Sequence, residues 1–352
     1  MQHSMHQSAK SALHPRLESL PLLKWLLMAC VAGAGLPALA VAHHSPARFV
    51  EDQVIAIHGK VVEFDWTNPH AYLTLEDADG ARWLFEGNAT SNLRRLGWAR
   101  DSLQVGDTVT VRAHPDRDAR NNHGRMLAVS GPGEQLLQVM TGSEKPPSGS
   151  RPATRTLNGI WRGDGGLAFK FLFAIIDHPL KERGAVSKIA YDESMDPIAE
   201  CITWPTPRIV AWSAFYLAEI ELGEDIVLFR NEFDRLERVV YMDGREHPAD
   251  GPRSSQGHSI GHWEGDTLVV DTRLFSKNRS PYADGIPSGE NKHVVERYTL
   301  RPDGTAVDID ILLEDPDYLA KPFAAQLVWN YSPELEFIPF DCDPQSASRF
   351  AE

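Results

Sequence analysis

The chain has 352 residues, of which 24% are charged, and its formal net charge is −14 at pH 7. This excess of negative charge repels nucleic acid and anionic lipid, so neither is expected as a partner. The length exceeds what one hydrophobic core usually supports, which favours two domains.

Residues 1–42 have the pattern of a signal peptide. Three basic residues precede an apolar run over 26–42, which contains Pro37 and ends in small residues at signal-peptidase spacing (ALA or AVA). The run is shorter than the roughly 20 residues of a spanning helix. An uncleaved anchor and a lipidated Cys30 are the alternatives. Removal of residues 1–42, with three basic and one acidic residue, changes the net charge to −16 and predicts a periplasmic or secreted protein without a membrane span.

Two cysteines, Cys201 and Cys342, remain after the predicted cleavage. In an exported chain, two cysteines most simply form one disulfide. A redox or nucleophilic role is the alternative, but the CxxC spacing that supports it is missing. The sequence therefore predicts a structural bridge.

Residues 43–140 are predicted to form a small β domain. Alternating stretches and turn signals indicate three strands, a short helix and two further strands, which is the order of an OB-like five-stranded barrel. Residues 141–156 (TGSEKPPSGSRPATRT) are rich in Pro, Ser and Gly and have no apolar periodicity, as a linker does.

Residues 157–352 are predicted to form a second β domain. Plausible strands are separated by turn signals such as Asp243-Gly244 and Asp303-Gly304. Regular hairpin spacing favours an antiparallel barrel or sandwich of calycin-like type. The apolar stretch 168–176 (AFKFLFAII) fits either a buried strand or a helix.

Two stretches resemble families of unknown function. Residues 43–130 contain HHS, WTNPH, GW and GDTV in this order, and resemble a bacterial exported domain family. Residues 157–342 contain DGREHP and GHSIGHWEGDTLVVDT and resemble a second set of exported proteins, whose pattern includes Glu296-Arg297 and Cys342. Both resemblances imply a location in the cell envelope, and neither implies a reaction.

The new amino terminus is a candidate copper site. Cleavage after Ala42 places His43 and His44 first, and cleavage after Ala40 places His43 third. Either start combines the terminal amine with imidazole nitrogen, a donor set that suits Cu(II). His70 is a candidate further ligand. Copper is the predicted cofactor, and the start at Val41 also fits Ni(II). The alternatives are a solvated terminus without function and a His70 that only begins a strand.

A polar cluster in the later domain is the candidate catalytic site. A two-residue turn at Glu264-Gly265 pairs His258 with Asp271, and a carboxylate beside an imidazole is the minimum for acid–base chemistry. His247 joins them if its hairpin is adjacent. Plain turn chemistry and backbone hydrogen bonds are the alternative explanation. The full cluster is His247, His258, His262, Glu264, Asp266, Asp271 and Glu296.

Aromatic residues of the later domain are numerous enough to line an apolar cavity, although core packing is their usual role. The predicted ligand contacts are Trp161, Trp263 and Glu296. The leading hypothesis is therefore an exported binding protein for a small apolar molecule. The alternative is a lyase, isomerase or hydrolase that uses His258 and Asp271 on a hydrophobic substrate.

Overall fold

The computed structural model describes residues 48–131, 136–139, 151–192, 196–282 and 285–349. The predicted signal peptide, its cleavage sites, and the histidines His43 and His44 lie outside the described residues. Most of the predicted linker does so too. Within the described ranges, no helix combines the length and the apolar character needed to cross a membrane.

The first sheet closes into a small barrel. The β1 strand pairs with β2 and β4, and a parallel β3–β5 pair joins the two ends, so that β1 to β5 form a closed ring; β6 extends the sheet beyond β5. This is the predicted OB-like barrel. The elements are β1 (Ile55–Asp65), β2 (Tyr72–Asp77), β3 (Arg82–Glu86), α1 (Thr90–Arg95), β4 (Thr108–Pro115), β5 (His123–Ser130) and β6 (Leu136–Gln138).

The alternation of apolar residues explains why these strands curl around one core. Leu73 and Leu75 on β2, Phe85 on β3 and Val111 on β4 are fully buried. The long β1 approaches β2 closely at Gly59, where a Cβ would stand 2.5 Å from the Glu76 carbonyl oxygen. Glycine is required there because no side chain fits between the two backbones.

The second sheet is a closed nine-stranded barrel. It runs in the order β10, β11, β12, β13, β14, β15, β7, β8 and β9, and every neighbouring pair is antiparallel except the parallel β10–β11 pair. Of the two predicted possibilities, an antiparallel barrel or a sandwich, the structure has the barrel, with that one exception. Its strands are β7 (Gly159–Gly163), β8 (Ala218–Leu222), β9 (Ile226–Asn231), β10 (Glu237–Tyr241), β11 (His258–Glu264), β12 (Thr267–Arg273), β13 (His293–Leu300), β14 (Ala306–Glu314) and β15 (Phe323–Tyr331).

The helices of this region lie mainly between β7 and β8. The stretch 168–176, whose sequence fits either a buried strand or a helix, lies in a helix. Asp164 caps this helix by accepting a hydrogen bond from the Leu167 backbone N–H. Helical spacing then buries Ala168, Phe171 and Ile175. The helices are α2 (Gly165–Ile176), α3 (Glu182–Ile189), a 3₁₀ helix (Pro197–Glu200), α4 (Arg208–Trp212) and α5 (Pro344–Ala347).

The interior of the nine-stranded barrel is filled by its own side chains. Trp161, Tyr298 and Trp329 are buried there in one apolar cluster. A cavity of about 20 Å³ beside Phe229 and Trp329 has room for one water molecule and no more. These aromatic residues therefore form a packed core in this structure.

The carboxyl-terminal tail connects the two barrels. The disulfide between Cys201 and Cys342 is present as predicted, with a Cα–Cα distance of 5.7 Å. Beyond it, the Ser346 hydroxyl donates to the His70 carbonyl oxygen at 2.9 Å, and Arg349 forms an ion pair with Asp65 at 2.6 Å. The bridge thus anchors a segment that binds the first barrel.

Candidate functional sites

The hairpin of β11 and β12 determines how His258 and Asp271 meet. Its two-residue turn is Gly265-Asp266, with Gly265 at a φ of +60°, so Ile260 pairs with Asp271 and His258 with Arg273. The predicted direct pairing of His258 with Asp271 was wrong, because the two-residue turn lies one residue later in the sequence than predicted. A hairpin turn with positive φ at its first central residue favours glycine there, and this places Gly265 first.

His258 and Asp271 nevertheless share the outer face of the barrel as diagonal neighbours, because residues two apart on a strand point the same way. His247, from the loop after β10, lies between them. Its Nδ1 is 2.9 Å from His258 Nδ1, and its Nε2 is 2.9 Å from Asp271 Oδ1. The three predicted catalytic residues are therefore brought together by hydrogen bonds.

The hydrogen-bonded chain continues beyond Asp271. Its second carboxylate oxygen is 2.9 Å from His293 Nε2, and His293 Nδ1 is 3.0 Å from Glu314 Oε2. Three histidines and two carboxylates thus form one hydrogen-bonded chain, with one member in the loop after β10 and the others on four neighbouring strands. We call this set, His258, His247, Asp271, His293 and Glu314, the outer-wall histidine chain.

The pKa values of His258 and His293 are shifted in opposite directions. Burial, with the neighbouring charges of His247 and Arg245, lowers the pKa of His258. The hydrogen bond to Asp271 raises the pKa of His293. Burial alone would raise the pKa of Asp271, but hydrogen bonds from His293 and His247 outweigh it and lower that pKa. Ionised Asp271 therefore separates a neutral His258 from a readily protonated His293.

His293 and Glu314 were not among the predicted site residues. Both lie at strand ends on the outer face, and His293 is diagonal to Asp271 because Asp271 pairs with Val295. The alternation of the segment HVVER, combined with the β12–β13 register, would have predicted that His293 lies beside Asp271. Glu314 then follows, since it pairs directly with His293.

A cleft of about 550 Å³ lies at the opposite end of the same strands. Its apolar lining comes from Leu157, Leu222, Leu300 and Trp263. The polar lining is Thr154, Arg155, Thr156, Asp266 and Arg301. Trp263 lies on the same face of β11 as the buried Ser259 and Gly261, but near the end of the strand, where its side chain is 47% exposed. Among the predicted ligand contacts, Trp263 is therefore the one that lines this cleft.

The other two predicted ligand contacts lie inside the packed barrel. Trp161 is fully buried and donates its indole N–H to the Leu157 carbonyl oxygen at 2.8 Å. Glu296 is fully buried and accepts from Arg238 Nη1 at 2.6 Å, and from the hydroxyls of Thr206 and Tyr298 at 2.9 Å. This ion pair satisfies a charge that would otherwise be costly in the core.

The remaining histidines of the predicted sites are placed elsewhere. His70 lies on the first barrel, with its Nδ1 3.2 Å from the Gly87 carbonyl oxygen and 3.3 Å from Glu86 Oε1. His262 is exposed and pairs with Glu264 at 3.1 Å, away from the outer-wall histidine chain. In the described ranges, no group of three or more His, Cys, Asp or Glu side chains is arranged to hold a metal ion.

The comparisons with known proteins bear on the first barrel. The model of a family of unknown function, DUF6152, matches residues 29–125, which confirms the predicted resemblance of the N-terminal region. No curated protein matches the chain. Among solved structures, a variant of the fluorescent protein UnaG is similar at 10% identity and a TM-score of 0.21, over 40% of this chain and 88% of that one. The fold assignment rests on the strand pairing itself.

Proposed function

We propose that this is an exported binding protein that holds a small, largely apolar molecule in the cleft at the end of the nine-stranded barrel. The observation that carries the proposal is the cleft itself. Its volume of about 550 Å³ falls in the range of small-molecule sites, and the half-exposed Trp263 forms part of its wall.

The site differs from the one usual for a barrel that carries a ligand. The interior holds packed aromatic side chains around a cavity of about 20 Å³, so a ligand inside would have to displace core residues. The cleft needs no such rearrangement. Leu222 and Leu300 line one part of it, and Thr154 and Arg155 offer polar groups that can orient a ligand.

Export and copper binding belong to the same proposal. The signal-peptide pattern of residues 1–42 supports export, and the histidines at 43 and 44 support a copper site at the mature terminus. Adding one residue before His43 is expected to abolish tight Cu(II) binding, because the terminal amine is then one residue further from the imidazole. Unchanged affinity in a copper titration would contradict the copper site.

The binding proposal is tested with N-phenylnaphthylamine, an uncharged aromatic probe that fluoresces when it leaves water. Titration into the purified chain is expected to give saturable fluorescence with one site, and energy transfer from the tryptophans of the chain to the probe. A marked fall in that energy transfer in Trp263→Phe, with saturation retained, would support the location. A linear, unsaturable response in the wild-type protein would refute binding.

A further inference from the structure

The outer-wall histidine chain determines which nitrogen atoms carry protons. Asp271 accepts at both carboxylate oxygens, so His247 donates to it from Nε2 and His293 donates from its own Nε2. A neutral His247 that donates from Nε2 has a bare Nδ1. That atom is 2.9 Å from His258 Nδ1, so with His247 neutral the proton between the two rings is carried by His258.

The consequence is a His258 whose Nε2 carries a lone pair and no proton. Among the described residues, no hydrogen bond is made by this nitrogen. The ring is held in place on two sides: Tyr241 stacks on it at 5.2 Å between ring centroids, and His247 meets it edge-on at 5.0 Å. A fixed, partly exposed imidazole with a bare Nε2 is suited to accept a proton.

We propose that His258 Nε2 is the general base of a second site, a hydrolytic one, on the outer wall of the barrel, and that its substrates are small acyl esters. His247 and Asp271 are positioning residues that hold the reactive tautomer. Arg273 pairs with His258 between β11 and β12, its side chain is about half exposed, and its Nε is 3.5 Å from Asp271 Oδ1, so its guanidinium brings positive charge to this part of the wall.

The proposed reaction balances without a cofactor. A water molecule gives a proton to His258 Nε2 as its oxygen bonds to the acyl carbon. Negative charge then develops on the carbonyl oxygen beside the Arg273 guanidinium. The ester C–O bond breaks, and the proton on His258 passes to the leaving alcohol or to solvent. The imidazolium formed in between is stabilised through His247 by ionised Asp271.

The charged and titratable groups around His258 determine its pH dependence. They are His247, Arg245 and Tyr241 on one side, and Asp271 and Arg273 on β12. Burial is the main cause that keeps the pKa of His258 below its ordinary 6.5, and the charge of Arg245 adds to it. Hydrolysis is therefore expected to rise with pH through a value below 6.5 and to level off above it.

This activity is independent of the cleft. His258 and Trp263 lie at opposite ends of β11, five residues or about 17 Å apart at the rise of an extended strand. A variant of either site leaves the other intact. Failure of probe binding in the cleft would thus say nothing against hydrolysis at His258.

The test measures p-nitrophenolate release from p-nitrophenyl acetate by the full chain at neutral pH. His258→Ala is expected to lower the rate about a hundredfold, as removal of a general base does. His247→Ala is expected to lower it about tenfold and to move the pH midpoint, because the tautomer is no longer fixed. His262→Ala, an exposed histidine outside the chain, is the matched control and should leave the rate and its pH profile unchanged.

A second measurement needs no variant. Long-range ¹⁵N correlation NMR of the wild-type histidines is expected to show His258 protonated at Nδ1 only and His247 at Nε2 only. The proposal is overturned if His258 carries its proton on Nε2. It is also overturned if wild-type hydrolysis is no faster than that of His258→Ala.

Discussion

Truncation of Trp263 tests the binding cleft with a magnitude that follows from its exposure. A tryptophan offers roughly 200 Å² of contact area, and the 47% that is exposed here leaves about 100 Å² for a ligand. If a ligand covers half of that, about 50 Å² is removed from water, worth about 1.3 kcal/mol at 25 cal/mol per Å². Trp263→Ala should therefore weaken probe binding about tenfold.

The assay is the fluorescence titration with N-phenylnaphthylamine, read from the probe's own emission so that loss of the indole does not affect the signal. Leu312→Ala is the matched control, because Leu312 is a comparably exposed apolar side chain on β14 outside the cleft. The control should bind as the wild type does. An equal affinity of Trp263→Ala and wild type would refute the assignment of the cleft as the binding site.

Three further predictions concern stability and are measured by urea unfolding. Glu296→Ala should cost about 3–5 kcal/mol, because it leaves Arg238 buried without its partner; a cost below about 1 kcal/mol would mean that the pair is not desolvated. Replacing Cys201 and Cys342 by serine should cost about 5 kcal/mol in the chain-entropy model for a separation of 141 residues, and unchanged stability would contradict it. Because the native pKa of His293 is raised, its contribution to stability is full below the unfolded pKa of about 6.5 and is lost as pH rises through the native pKa. His293→Gln should remove this part of the pH dependence of the free energy of unfolding, and a pH profile identical to that of the wild type would contradict the prediction.

Alternation and turn chemistry were sufficient to predict the first barrel, and for the second region they predicted an antiparallel barrel or a sandwich, of which the structure has the barrel. In the first barrel, the order of three strands, a helix and two strands matches β1 to β5, because each strand buries every second residue against one core. The added β6 was not predicted. It is only three residues long and buries one of them, so it has no periodicity to detect.

Turn chemistry alone did not determine the register. Glu264-Gly265-Asp266 offers two positions for a two-residue turn, and the choice shifts every pair along β11 and β12. Both choices place His258 and Asp271 on one face, so the expected proximity survived the wrong pairing. The bridging His247 comes from a loop whose path no periodicity describes, and its contacts are tertiary.

The amino-acid composition could not predict that the interior of the nine-stranded barrel is filled by side chains. Tryptophan and tyrosine are suited both to line a cavity and to fill it, and only the packing of Trp161, Tyr298 and Trp329 decides between them. The cleft at the barrel end depends on where residues 154–157 pass the hairpin turns, which is also a tertiary property.

The most direct test of the central claim is a crystal structure of the chain with N-phenylnaphthylamine bound. The account predicts the probe at the end of the barrel, in contact with Trp263, Leu222 and Leu300. Electron density for the probe inside the barrel, among Phe229, Tyr298 and Trp329, would contradict it and would show that the packed core opens to admit a ligand.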